Sequence, residues 1–387
     1  MTRPGNGEAD AKVTLIAEIV YGTEKLTKEF EVIVSAMSET TGIEYFDRTA
    51  VEVTDEYYDN ALELDAKNLL ALDADRLLAG FRETAAYAAG MGDADRKTYM
   101  KDKTRYGGGW ENALIGGHTL GHYLSAVAQG VINPGLSEDM QGKLKERLDY
   151  MVDALADCQK KTVGSKACKE GYLFGAKLVS TTELEAQFDN VEKSLANIST
   201  QAWVPWYTMH KILAGLVDAY EATGSKTALA TAEKLGDWVA DRANNWSAST
   251  QGKVLAIEYG GMNDAMYELY KCSGKEAYKT AAHMFDEMSL FEAVLSGRDN
   301  VLNAKHANTT IPKFLGALCR YEVDPSETVY LEYAEAFWDM VLKRHTYVTG
   351  GNSEDEHFGA DNILHGERTN ANNETCNTYN MLKLSRR

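Results

Sequence analysis

The sequence predicts a mainly α-helical fold, an (α/α)6 toroid or barrel preceded by a short β remnant. Three observations carry this expectation: an alternating segment near the start, helical spacing of apolar residues from about Tyr57 onward, and an internal repeat.

Between Ala11 and Met37, Val13, Leu15, Ala17 and Ile19 alternate with mostly polar neighbours, and Phe30, Val32 and Val34 do so again after Tyr21-Gly-Thr-Glu24. Period-two alternation around a short polar turn predicts a β-hairpin. A lone hairpin is not stable in water and needs partner strands. Residues 1–37 are therefore read as the closing strands of a bacterial immunoglobulin-like domain, and residues 45–387 as the helical domain.

Within the helical domain, Asp75–Ala88, Gly117–Gln129 and Leu136–Cys158 place apolar residues three and four apart, the spacing of amphipathic helices. The segment from Leu216 is echoed from Ala265 and again from Leu315, with Tyr220, Tyr270 and Tyr321 in the same place, a period of 50 to 51 residues. Each unit reads as helix, short turn, helix. Such a unit cannot bury its own apolar face and must stack on neighbours. About six units would fit between Tyr57 and Arg387, the number that closes a toroid, with an open solenoid as the alternative. Long Gly-rich loops at Tyr106–Gly109, Gly260–Gly261 and Gly350–Gly351 suit the rim of a cleft.

Composition narrows the function classes. The formal charge is −18, a field that repels a phosphate backbone, so nucleic acid is not expected as a partner. No stretch approaches the ~20 apolar residues of a membrane span. The five cysteines are scattered and form no disulfide framework. Only Cys158 and Cys168 are spaced to close a short loop; otherwise buried free thiols are expected.

The densest chemistry lies between Tyr347 and Leu384, which gathers Glu354, Asp355, Glu356, His357, Glu367, Arg368, Glu374 and Cys376. A solvated acidic loop is the plain reading of such a run. Against it stand two preceding glycines, flanking aromatics, and a Glu-Thr-Cys where a helix begins. Glu374 and Cys376 converge on one cation only if the backbone is still turning there, and zinc wants four ligands. His118 and His122 are one helical turn apart but lack the intervening Glu of the zinc-protease pattern, which suits a cleft lining better than a metal. Trp206, Tyr207 and His210, beside Pro205, suit a sugar-stacking wall or a core. His306 and Asn308 precede a helix expected near Ile311, and Glu258 sits beside Gly260–Gly261. His283, inside an amphipathic helix, reads as structural.

Taken in order, Gly108-GWE with Gly117-HTLGHYLSA, Val204-PWYTMHKILAGL, Glu258-YGGMN, His306-ANTTIPK, Thr349-GGNSEDEHF and Glu374-TCNTYNMLKL make one pattern. It resembles the β-L-arabinofuranosidase-type glycoside hydrolases of families 127 and 146 over roughly Phe46 to Arg387. The resemblance implies an (α/α)6 barrel followed by β-sandwich domains, and a retaining reaction with a zinc-bound cysteine nucleophile. Glu356 matches the acid/base, while Glu374 and Cys376 match two zinc ligands. His210 and His306, then Tyr207, His118, His122 and Glu258, match pocket positions. The family's remaining two cysteines form an adjacent pair that is not found in these 387 residues, so the domain is read as C-terminally truncated and inactive alone.

The implied function is exo-release of β-L-arabinofuranose from plant-derived glycans, with Zn2+ as cofactor; the immunoglobulin-like remnant points to an extracellular or cell-surface setting. The alternatives are an (α/α)6 hydrolase or lyase working without zinc, a non-catalytic carbohydrate-binding surface protein, and an α-solenoid interaction protein.

Overall fold

The computed structural model describes residues 11–21, 23–34, 46–364, 366 and 369–387. It divides into two units, residues 1–47 with 385–387, and residues 48–384. In the first unit, β1 (Ala11–Tyr21) and β2 (Glu24–Val34) pair antiparallel, with Tyr21 opposite Glu24 and Ala11 opposite Val34. The two-residue connection sets that register. The described residues of this unit hold no third strand, so the immunoglobulin-like reading rests on the sequence.

The second unit is helical. It begins with α1 (Glu56–Ala71), α2 (Ala74–Leu77), α3 (Ala79–Ala88) and α4 (Asp93–Tyr99). A helical hairpin follows, α5 (His118–Val131) with α6 (Glu138–Lys160). After the short α7 (Ala186–Glu192) the pattern recurs as α8 (Pro205–Thr223) with α9 (Lys226–Ala243). After α10 (Ala248–Leu255) it recurs as α11 (Met262–Ser273) with α12 (Glu276–His283). After α13 (Met288–Leu295) come α14 (Ala307–Val323) and α15 (Val329–Arg344), and then α16 (Thr375–Arg386).

Local chemistry punctuates these helices. Asp55, Asp73, Ser137, Ser225 and Ser247 cap α1, α2, α6, α9 and α10 by accepting first-turn backbone N–H groups, which would otherwise lack partners. The repeated tyrosines mark helix ends. Gly224 and Gly274 adopt left-handed backbone, and each donates its N–H to the carbonyl of Tyr220 or Tyr270 at 2.7 Å. The third repeat has Asp324-Pro325 there instead, and α14 stops in extended backbone because the residue before a proline avoids helical angles.

The first helix of each hairpin packs on the first helix of the next: α5 on α8, α8 on α11, α11 on α14. Glycine permits the tightest of these contacts. A Cβ on Gly121 would lie 2.2 Å from the Lys211 backbone, and one on Gly215 would lie 2.6 Å from the Gly121 carbonyl. Residues of α5, α8, α11, α14 and α16 line one axial cavity of about 20 Å3, room for a single water. This arrangement is consistent with an α-helical toroid. Between the layers sits an aromatic core. Trp206 belongs to it, with its ring 4.8 Å from Phe188 and 5.1 Å from Phe285, so Trp206 packs the interior and forms no sugar-stacking wall.

Candidate active site

The N-terminal ends of the axial helices carry the site. His118 opens α5, Tyr207 and His210 lie in the first turns of α8, and Glu258 precedes α11. His306 precedes α14, which begins at Ala307 rather than near Ile311, while Glu374 and Cys376 straddle the start of α16. Helix N-termini carry unpaired N–H groups and partial positive charge, favourable for carboxylates and thiolates.

Glu356 is presented by a strained turn. Glu354 and His357 exchange two backbone hydrogen bonds of 2.9 Å, and the residues between them, Asp355 and Glu356, have φ of 46° and 67°. Positive φ at both central positions is the type I′ turn, which favours Asn or Asp first and Gly second. Glu356 thus occupies the glycine position. The turn is stitched to α14, where Ala307 N–H donates to the Glu356 carbonyl at 2.8 Å, and Phe358 N–H donates to the Lys305 carbonyl at 2.9 Å. On its other side, Asp355 N–H donates to the Ala371 carbonyl at 2.8 Å, which ties the turn to the segment leading into α16. The Glu356 carboxylate lies 3.5 Å from His306 Nε2 and remains 45% exposed, open to an incoming ligand.

Glu374 and Cys376 are hydrogen-bonded to each other, and the charge of Glu356 acts on both. Burial raises the carboxyl of Glu374, and burial with the adjacent Glu374 pushes the Cys376 thiol up to about 11. Unaided, that thiol stays protonated at neutral pH. Glu374 Oε2 is buried without a hydrogen-bond partner.

The other matched side chains lie on the neighbouring helices α5 and α8 and the loop before α11. The Tyr207 hydroxyl accepts from Asn308 Nδ2 at 3.1 Å, and burial raises its pKa, with the charges of Cys376, Glu374 and Glu258 acting in the same direction. Gly261 N–H donates to His210 Nδ1 at 3.1 Å, which leaves the imidazole proton on Nε2. A Cβ on Gly260 or Gly261 would come within 2.7 or 3.0 Å of that ring, so the glycine pair is what lets the loop lie on His210. His118 Nδ1 is 2.9 Å from the Ile115 carbonyl, and the His118 ring is 5.9 Å from Tyr207. His122 is set one turn deeper, at the axial cavity with His210 and Lys211; burial, then the Lys211 charge, holds its imidazole down at about 2.

Asn380 and Lys211 escaped the sequence reading. Pro312 has no N–H, so the carbonyl four residues back, Asn308 O, is left without its helical donor. Asn380 of α16 fills the gap: its Nδ2 donates to Asn308 O at 3.3 Å and to Asn308 Oδ1 at 2.9 Å. Helix α16, and Cys376 one turn earlier on it, is thereby clamped to α14. The proline inside α14 was the available signal. Lys211 is buried, and burial together with Lys383 brings its ammonium down to about 7.

Among the described residues, one group of three has metal-ligand proximity: Asp264, Glu268 and Cys319, their donor atoms within 4.8 Å of one another. Its carboxylates are already engaged, Glu268 with Lys271 at 3.2 Å and Asp264 with Lys383 at 3.8 Å. Cys158 and Cys168 are both free thiols, so the short-loop disulfide does not form. His283 packs 5.7 Å from the Tyr267 ring. Glu367 and Arg368 lie outside the described residues.

Residues 50–387 match the family described as β-L-arabinofuranosidase, GH127 catalytic domain. The chain belongs to that family. Two solved GH127 structures share its fold. One is a GH127 β-arabinofuranosidase with 18% identity and a TM-score of 0.57, covering 88% of this chain and 51% of its own. The other, a GH127 β-L-arabinofuranosidase from Geobacillus stearothermophilus T6, has 15% identity and a TM-score of 0.55, covering 87% of this chain and 52% of its own. The chain thus spans about half the length of these GH127 proteins. No curated protein matches it by sequence.

Proposed function

We propose that this GH127 domain is the catalytic part of a glycosidase that releases β-L-arabinofuranose from arabinose-containing glycans outside the cell. The observation that carries the reading is the closeness of Glu356 to His306, at 3.5 Å, and to the Glu374/Cys376 pair, on both of which its charge acts. Glu356 is the proton donor and acceptor at the glycosidic oxygen, a role that needs a carboxyl within hydrogen-bond reach of the bond cleaved. It is exposed enough for that contact, and its strained turn and His306, 3.5 Å away, hold it in place. Tyr207, His210 and His118 supply hydroxyl and imidazole groups for the hydroxyls of the sugar, and Glu258 adds a second carboxylate to the wall.

Zinc fits the Glu374/Cys376 pair. A carboxylate oxygen without a partner stands beside a thiol, and carboxylate with thiolate is an accepted zinc donor set. When bound, the metal supplies the charge that converts a coordinating thiol to thiolate. Two ligands come from these side chains; the resemblance assigns the others, with the nucleophile, to a cysteine pair that these 387 residues do not contain.

The test, run on a polypeptide extended to include that cysteine pair, is hydrolysis of an aryl β-L-arabinofuranoside, with bound zinc measured alongside. E356Q should lower turnover about 10²- to 10⁴-fold while zinc content stays at the wild-type level. E374Q should lower the zinc content. Unchanged turnover in E356Q removes the assignment.

A further inference from the structure

Trp110 and Glu111 lie in the loop Tyr106-Gly-Gly-Gly-Trp-Glu ahead of α5, and the reaction proposed above uses neither. Trp110 is 53% exposed, unusual for so large an apolar surface, and its indole sits 5.7 Å from the His118 ring. His118 in turn is 5.9 Å from Tyr207, so the indole extends the pocket wall outward by two ring contacts. Beneath this wall lies an apolar cluster separate from the main core, Ile115, Val204 and Tyr207, with Trp203 packed on it. The neighbouring Glu111 has a carboxylate oxygen, Oε1, that is fully buried and has no hydrogen-bond partner, and its charge acts on His118. Leaving such an acceptor unsatisfied is unfavourable. The loop is rigidly placed: Gly116 is so close that a Cβ there would lie 2.6 Å from the Glu111 carbonyl, while Lys177 N–H and Gln187 Nε2 donate to Ala113 O and Leu114 O at 3.1 Å.

An exposed aromatic face beside an acceptor lacking a donor matches a sugar ring, whose C–H face is apolar and whose edge carries hydroxyl donors. We propose that Trp110 and Glu111 form a second sugar subsite, which takes the residue on the leaving-group side of the bond cleaved. The sugar stacks on the indole and donates a hydroxyl to Glu111, whose carboxylate rotates outward to bring Oε1 within its reach. The proposal rests on the glycosidase reading and adds that the substrate is an oligosaccharide, recognised on both sides of the bond.

Calorimetric titration of the protein with two probes tests this: a β-L-arabinofuranosyl disaccharide and methyl β-L-arabinofuranoside, which lacks the second sugar. W110A and E111A should each weaken disaccharide binding about tenfold and leave the methyl glycoside unaffected. W110F should retain most of the disaccharide affinity, and W338A, on α15, should bind both probes as wild type does. Disaccharide binding unchanged in W110A, or weakened equally for both probes, overturns the subsite. Wild-type protein that binds neither probe overturns the glycosidase reading itself.

Discussion

Replacing Asn380 by Ala tests whether the clamp between α14 and α16 works as its geometry indicates. Asn380 is 2% exposed, and its Nδ2 satisfies two acceptors of Asn308, at 3.3 and 2.9 Å. Asn308 is itself buried, so in N380A both acceptors lose their donor out of reach of water, at about 1–3 kcal/mol each. Relaxation around the truncated side chain should soften this, giving a destabilisation of roughly 3 kcal/mol. The reasoning has a sharper consequence. Asn308 O depends on Asn380 only because Pro312 lacks an N–H, so P312A should restore a helical donor to that carbonyl. In the P312A background, removing Asn380 then strands one acceptor instead of two, and the loss should shrink by about 1 kcal/mol or more. Urea denaturation followed by far-UV circular dichroism, on wild type, both single variants and the double variant, measures the coupling. Equal effects of N380A in the two backgrounds, within about 0.5 kcal/mol, would refute the account.

Further outcomes follow from features described above. G121A should destabilise by about 3 kcal/mol or more, because its Cβ meets Lys211 backbone at 2.2 Å and both helices must separate; G142A, on the exposed side of α6 with nothing within 4 Å, should instead stabilise by about 0.5–1 kcal/mol, and both are read from denaturation midpoints. E356G should raise stability by about 1 kcal/mol by relieving the positive φ while abolishing turnover, whereas E356Q should leave stability unchanged; a destabilised E356G would rule out the strained-turn account. Burial, with Arg320 nearby, holds the His283 imidazole at about 4 against an ordinary 6.5. The unfolded chain therefore takes up this proton first, and the contribution of His283, complete above pH 6.5, is lost as pH falls toward 4. H283Q should flatten the dependence of unfolding free energy on pH across that window; an identical slope in wild type and H283Q would count against it.

Much of the fold was legible because its signals are local. Alternation at Val13 to Ile19 and the three-four spacing in α3, α5 and α6 depend only on which neighbours share a face. The tyrosine repeat found three of the four hairpins. It missed α5 and α6 because their connection, through Asn133-Pro-Gly135, carries no tyrosine and no left-handed glycine cap. Boundaries and helical phase were harder to read. His306 is extended and α14 starts at Ala307, one turn before the expected start near Ile311. Trp206 and Tyr207 are adjacent but point about 100° apart around α8, which sends one into the core and the other toward Asn308. The site motifs were visible as residue types at loop and helix junctions. Their support was not, because Asn380, Lys211 and the orphaned oxygen of Glu111 gain meaning only from residues distant in sequence.

The turn at Asp355 and Glu356 bears on how this domain can change. The main chain dictates where the Glu356 carboxylate starts, through dihedral angles fixed by bonds to both α14 and the approach to α16. Surrounding side chains can therefore be exchanged, and new sugar shapes accommodated, without the proton-carrying group being re-aimed each time. Diversity in the wall and constancy in the acid become separable properties of one chain.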